Sequence, residues 1–97
     1  MASEQYLERV AYTIRKHRSD PNLDMELEAL IAECQADLHR AGVPEERAND
    51  ESDPLILGAV RCYVRWKFPY QLDPNDANRL REEYYTMLDN IRKSPRK

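Results

Sequence analysis

Glycine is nearly missing from this chain, with two in 97 residues, at positions 42 and 58. That excludes a phosphate-cradling loop, which needs several glycines to bring backbone N–H groups around an anion. Cysteine and histidine number two each. Zinc takes four ligands at familiar spacings, and Cys34, His39 and Cys62 match none of them. No apolar run approaches the ~20 residues a membrane span requires, and Met1-Ala2-Ser3-Glu4-Gln5 lacks the apolar stretch of a secretory leader. We therefore expect a chain made in the cytoplasm, without a membrane partner and with reduced thiols. The net charge is −3, which excludes a protein whose whole surface is a nucleic-acid footprint. There is no nucleophile–base pairing and no pair of carboxylates in an apolar setting. The expectation is a protein that is not an enzyme and uses neither cofactor nor metal.

What the sequence does contain is charge, at 34% Asp, Glu, Lys and Arg, together with frequent Leu, Ala, Glu and Arg. This balance predicts an all-α chain. We expect residues 1–93 to form one helical domain and 94–97 a basic, flexible tail, with total stability on the order of 5–15 kcal/mol. The organising stretch is 53–68, DPLILGAVRCYVRWKF. Asp53 suits an N-cap, and Pro54 suits the first helical position, where the missing N–H costs nothing. At 100° per residue its apolar side chains cover about two thirds of the circumference, against the ~100° needed to pack on one neighbour. Leu55, Ala59, Cys62 and Trp66 form one ridge. Ile56, Leu57, Val60, Tyr63, Val64 and Phe68 continue round from it, interrupted by Lys67, while Gly58, Arg61 and Arg65 share the remaining strip. Such a helix sits in the middle of a bundle or lends a second face to another subunit.

Taken in order, Ser3 can cap a first helix reaching about Lys16, with Leu7, Val10, Ala11 and Ile14 inward. Asp20-Pro21-Asn22 breaks the chain. A second helix over 23–41 buries Leu23, Leu27, Leu30, Ile31, Cys34, Leu38 and Ala41 and closes at Gly42. Residues 43–52, VPEERANDES, carry Glu45, Glu46, Asp50 and Glu51 against the single base Arg47 and show no apolar periodicity. They read either as a solvated connector or as a loop that meets a partner or lines a pore. Residues 69–72 form a short break. Asp73-Pro74 then repeats the cap-plus-proline opening, and a last helix runs to about Lys93 with Ala77, Leu80, Tyr84, Met87, Leu88 and Ile91 inward. Cys34 and Cys62 are expected as buried thiols, and His17 and His39 as solvated.

This order of parts resembles the small helical head–tail connectors of tailed bacteriophages, also called head-completion or DNA-packaging adaptors. The matching features are the second helix ending at Gly42, the polar loop, Asp53-Pro54-Leu55-Ile56 leading into Ala59-Val60-Arg61-Cys62-Tyr63-Val64, the aromatic end at Trp66 and Phe68, and the Asp73-Pro74 break before the closing helix. The likeness spans roughly residues 4–91. The basic run Arg15-Lys16-His17-Arg18 departs from the acidic turn that often follows the family's first helix.

The resemblance implies a small four-helix bundle with a long central helix, acting as one subunit of a ring, commonly twelve-fold, under the portal protein. The ring would extend the DNA channel, pass double-stranded DNA without sequence specificity, and offer a docking surface to a tail protein or a second head-completion protein. The location implied is the virion, after assembly in the host cytoplasm. The family's C-terminal end reaches the portal, which assigns that contact to Arg92, Lys93, Arg96 and Lys97. Glu45, Glu46, Asp50 and Glu51 would face the channel or the tail-side rim, where like charge keeps passing DNA from sticking within a Debye length of ~8–10 Å. Leu55, Ile56, Val60, Tyr63, Val64, Trp66 and Phe68 would supply the core or the subunit interface, since surplus apolar surface marks an interaction site. The alternative is a small helical DNA-binding regulator or packaging factor using Arg61, Arg65 and Lys67 beside Tyr63 and Trp66. Its arginines lie on a largely buried helix next to an acidic loop, and no recognition helix is apparent.

Overall fold

The computed structural model describes residues 3–13, 21–67 and 73–93. These fold into five helices: α1 (Glu4–Thr13), α2 (Pro21–Arg40), α3 (Glu45–Ala48), α4 (Pro54–Lys67) and α5 (Pro74–Lys93). No strand occurs among the described residues, and none of their helices is long and apolar enough to cross a membrane. The expected extension of the first helix to Lys16 lies outside the described residues, as do Ile14, His17 and Phe68.

Local chemistry sets the helix ends. Asp53 Oδ1 accepts the Leu55 and Ile56 amides at 2.9 and 3.4 Å, and Asp73 Oδ1 accepts the Asn75 amide at 2.8 Å. In both helices proline occupies the first turn, where no amide partner is needed. Ser3 Oγ accepts the Tyr6 amide at 3.2 Å and caps α1 in the same way. At the far end of α2, Gly42 has φ 110°, a conformation that side chains with a Cβ resist. Its amide bonds the His39 carbonyl at 3.1 Å, and the Val43 amide bonds that of Leu38 at 3.0 Å. This is a Schellman closure. Leu38 and Val43, both buried, supply the apolar contact that accompanies it. His39 Nδ1 lies 3.2 Å from the Val43 carbonyl and adds a side-chain contact to the turn.

Helix α4 is the centre of the fold. It packs most broadly on α5, then on α2, and also on α1, while α2 additionally meets α1 and α3. Ile56, Ala59, Val60, Cys62, Tyr63 and Val64 are buried. They join Tyr6, Leu7, Val10 and Ala11 of α1, Leu27, Leu30, Ile31, Cys34 and Leu38 of α2, and Leu80, Tyr84, Leu88 and Ile91 of α5 in one core. A fully buried aliphatic side chain contributes about 1.5–3 kcal/mol, so the burial of α4 against α1, α2 and α5 outweighs its modest length. Its apolar arc is wide because three helices of the same chain cover it. Among the described residues, the surplus expected from the sequence shrinks to Leu55, 45% exposed, and the partly buried Leu57 and Trp66.

The polar segment after Gly42 corrects the expectation of a plain solvated connector. It contains the one-turn helix α3, and Val43, Arg47 and Ala48 are all buried. Val43 belongs to the turn that closes α2, ahead of Pro44, while Arg47 and Ala48 are neighbours on α3. Ten residues with four carboxylates concealed this burial, because three inward residues split between a turn and a single helical turn make no period, and one of them is an arginine.

Candidate functional site

Arg47 is the residue on which the acidic segment turns. It is only 8% exposed. Its Nε donates to Asp53 Oδ2 at 3.0 Å, and its Nη1 donates to the Ile91 carbonyl at 3.1 Å. One guanidinium therefore joins α3, the N-cap of α4 and the last turn of α5. Each contact answers a local need. The final carbonyls of a helix have no intrahelical donor, and Asp53 keeps its second oxygen for the α4 amides. A planar fork spreads its fixed donors over three nitrogens and so meets acceptors on two sides at once, whereas the donors of an ammonium all radiate from one atom.

The four acids divide into two pairs. Glu45 and Glu46 lie exposed on the first turn of α3. Asp50 and Glu51 are half-buried and engaged within the chain. Asp50 Oδ1 accepts from Ser52 N and Oγ at 2.9 and 2.6 Å. Glu51 accepts from Ser3 N at 3.0 Å and from Ser3 Oγ at 2.6 Å, clasping the start of α1. Of the basic end, Arg92 and Lys93 are exposed at the close of α5, while Arg96 and Lys97 lie outside the described residues. Lys93 Nζ bonds Asp89 Oδ2 at 2.8 Å, and this hydrogen bond holds the exposed Asp89 carboxyl below its ordinary range. Ile56, Val60, Tyr63 and Val64 are spent on contacts inside the chain.

A second polar seam runs between α2, α4 and α5. The Tyr63 hydroxyl donates to Glu33 Oε1 and the Tyr84 hydroxyl to Asp37 Oδ2, each at 2.7 Å. Glu33 and Asp37 are one turn apart on α2, so both tyrosines dock on a single helix face. Asp37 also pairs with Arg40. Tyr63, Trp66, Tyr84 and Tyr85 form an aromatic ladder with mostly edge-on neighbours 5.2–6.4 Å apart. The Lys67 ammonium stands 4.0 Å over the Trp66 ring. Of the three cations suggested for nucleic acid, Lys67 is thus turned to an aromatic face, Arg61 is half-buried and Arg65 is exposed.

The thiols and phenols of the core hold their protons. Burial, above other causes, pushes Cys34 up to about 12 and Cys62 up to about 11, the latter helped by the Glu83 carboxylate. Cys62 Sγ lies 3.2 Å from the Leu80 carbonyl, to which it donates. Burial likewise raises Tyr6, Tyr63 and Tyr84. A protonated thiol is a poor nucleophile, so these groups serve packing. No cluster of three or more His, Cys, Asp or Glu suited to a metal ion occurs among the described residues.

An open cleft of about 550 Å³ lies between α1 and α4, lined by Gln5, Glu8, Arg9, Tyr12 and Arg61. Tyr12 is 77% exposed. Neither this cleft nor the Arg47 junction was marked by any motif. The only sequence signal for the junction was a lone base inside an acidic run. Comparison of the chain with protein-family models, curated proteins and solved structures finds no match in any of the three.

Proposed function

We propose that the chain is a non-catalytic adaptor subunit of the phage head–tail connector type. In this reading four long helices act as the bundle, with α3 as a one-turn addition, and copies assemble as a ring beneath the portal protein in the virion. The ring extends the DNA channel and presents a surface to a tail or head-completion protein. The observation that carries the reading is the order, length and capping of the helices. A 20-residue α2 closes at Gly42, a polar segment follows, and then come an Asp-Pro-capped α4 of 14 residues and an Asp-Pro-capped α5 of 20. That is the pattern on which the family resemblance rests. The exposed Arg92 and Lys93 at the end of α5 suit a basic contact with an acidic portal groove, where desolvated or bidentate pairs exceed the ~0–1 kcal/mol typical of exposed ones.

The test is co-sedimentation of the purified full-length chain with DNA-filled, tail-less heads, followed by negative-stain microscopy. The expected result is stoichiometric binding and a ring of density continuous with the portal. Absence of binding to heads, together with DNA affinity that falls by about 10³-fold or more between 50 and 200 mM salt, would instead identify a DNA-binding regulator.

A further inference from the structure

We infer that the outer strip of α4, with the flank of α1 beside it, receives the α3 turn of a second copy of this chain. The inference rests on the ring reading above and names the surfaces that would meet.

The first observation is Gly58. A glycine inside a helix weakens it, and proteins keep one there where another backbone approaches closely. Among the described residues nothing lies within 4 Å of the place a Cβ on Gly58 would occupy, so their packing gives no reason for it. Gly58 shares the outer strip of α4 with Arg61, one turn on, and Arg61 lines the α1–α4 cleft. The second observation is what that cleft carries. Arg9 and Arg61 outnumber the single carboxylate of Glu8, and Tyr12 stands beside them as the most exposed large apolar side chain of the described residues. Exposed tyrosine beside arginine is the pairing enriched at protein interfaces. Arg9 and Arg61 also interact within the chain, so the cleft offers a positive balance rather than idle cations.

The complementary surface is on the same molecule. Glu45 and Glu46 project from α3, which is anchored from beneath by the buried Arg47 and Ala48. A rigid, doubly acidic turn on one side and a positive, tyrosine-edged cleft on other helices make a heterologous contact, in which each copy offers both halves. Such contacts repeat, and they close into a ring where the rotation between copies permits.

The experiment uses the full-length chain and three variants: Glu45→Arg with Glu46→Arg, Arg9→Glu with Tyr12→Ser, and Gly58→Gln. Thermal melts establish that each is folded. Ring formation is read by sedimentation velocity over a concentration series and by negative stain on portal-bearing heads. Each variant should associate at least about tenfold more weakly than the wild type, since attraction becomes repulsion or the close approach is filled. An equimolar mixture of the two charge-reversed variants should recover association, because each supplies the cleft the other's turn requires. Rings formed normally by any folded variant, or no recovery on mixing, would overturn the inference while leaving the ring reading intact. A wild type that forms no ring, in solution or on heads, would remove the ring reading as well. Loss of head binding by Gly58→Gln without loss of self-association would give the strip to another protein and also overturn the inference.

Discussion

Replacing Arg47 should unfold a large share of this protein's stability, although the residue stands in a ten-residue run with no apolar periodicity. Arg47→Met keeps the aliphatic bulk and removes the guanidinium. Two acceptors then lose their donor: the Asp53 carboxylate, whose side chain is 12% exposed, and the Ile91 carbonyl. Removing one partner of a buried ion pair typically costs about 3–5 kcal/mol. Asp53 retains its bonds to the Leu55 and Ile56 amides, which soften the loss, so we expect about 2–4 kcal/mol. Against a total of roughly 5–15 kcal/mol, that is a fall in midpoint visible without extrapolation.

A double-mutant cycle separates this account from mere loss of packing. Asp53→Asn keeps an oxygen for the α4 cap but removes the charge. On its own it takes the Asp53 carboxylate away from the buried guanidinium and should cost about 1–3 kcal/mol. The pair Arg47→Met with Asp53→Asn should cost less than the sum of the two, by about 1–2 kcal/mol, because neither charge is then stranded. Urea unfolding at neutral pH, followed by circular dichroism, measures all four proteins. A change under 0.5 kcal/mol for Arg47→Met is the value expected of an ordinary surface position. That result, or strict additivity in the cycle, would refute the junction.

Three further outcomes follow from the same packing. Trp66→Ala removes a half-buried ring held by Tyr63, Tyr84, Tyr85 and Lys67 and should cost about 2–3 kcal/mol in thermal melts, below the 3–5 of a fully buried aromatic; less than 1 kcal/mol would mean the ladder is not packed. Cys34 and Cys62 titrate from 9.0 in the unfolded chain to about 12 and about 11 in the fold, so their contribution is complete below pH 9 and is lost as pH rises from there toward 11–12. Urea midpoints should fall across that window and flatten in part for Cys34→Ala, whereas a fall of the same size in that variant would assign the alkaline loss to other groups. Deleting 94–97 should leave the melt unchanged and weaken co-sedimentation with portal-bearing heads, more so at low salt than at moderate salt; equal binding by the truncated and full-length chains would take the tail out of the interface.

The helices were legible in the sequence wherever a short-range rule decides them. Asp53-Pro54 and Asp73-Pro74 start α4 and α5 because an aspartate cap and a proline first turn act over three residues, and Gly42 ends α2 for a reason confined to its own φ. The inward faces followed from the 3.6-residue period. Leu27, Leu30, Ile31, Cys34 and Leu38 on α2, and Leu80, Tyr84, Leu88 and Ile91 on α5, are buried as the pattern requires. The wide arc of α4 was equally legible, but what covers it was not. Periodicity counts how much surface a helix must bury. Whether a neighbour in the same chain or a second chain buries it depends on packing.

The contacts that the pattern missed join residues far apart in the chain and polar in type. Arg47 meets Ile91, Ser3 meets Glu51, and Tyr84 meets Asp37 across 44, 48 and 47 positions. A polar residue in isolation is written the same way whether water or a distant carboxylate satisfies it, so composition assigns it to solvent. Geometry then divides the acidic run by where its oxygens lie. Asp50 Oδ1 is taken by Ser52 and its Oδ2 is buried, while both Glu51 oxygens are taken by Ser3, which leaves Glu45 and Glu46 as the pair of the run turned outward. Any surface role for negative charge in this segment therefore falls to α3 alone. Because Arg47 ties α3 to both α4 and α5, a partner that pulls on those two glutamates also pulls on the end of the helix from which the basic tail departs.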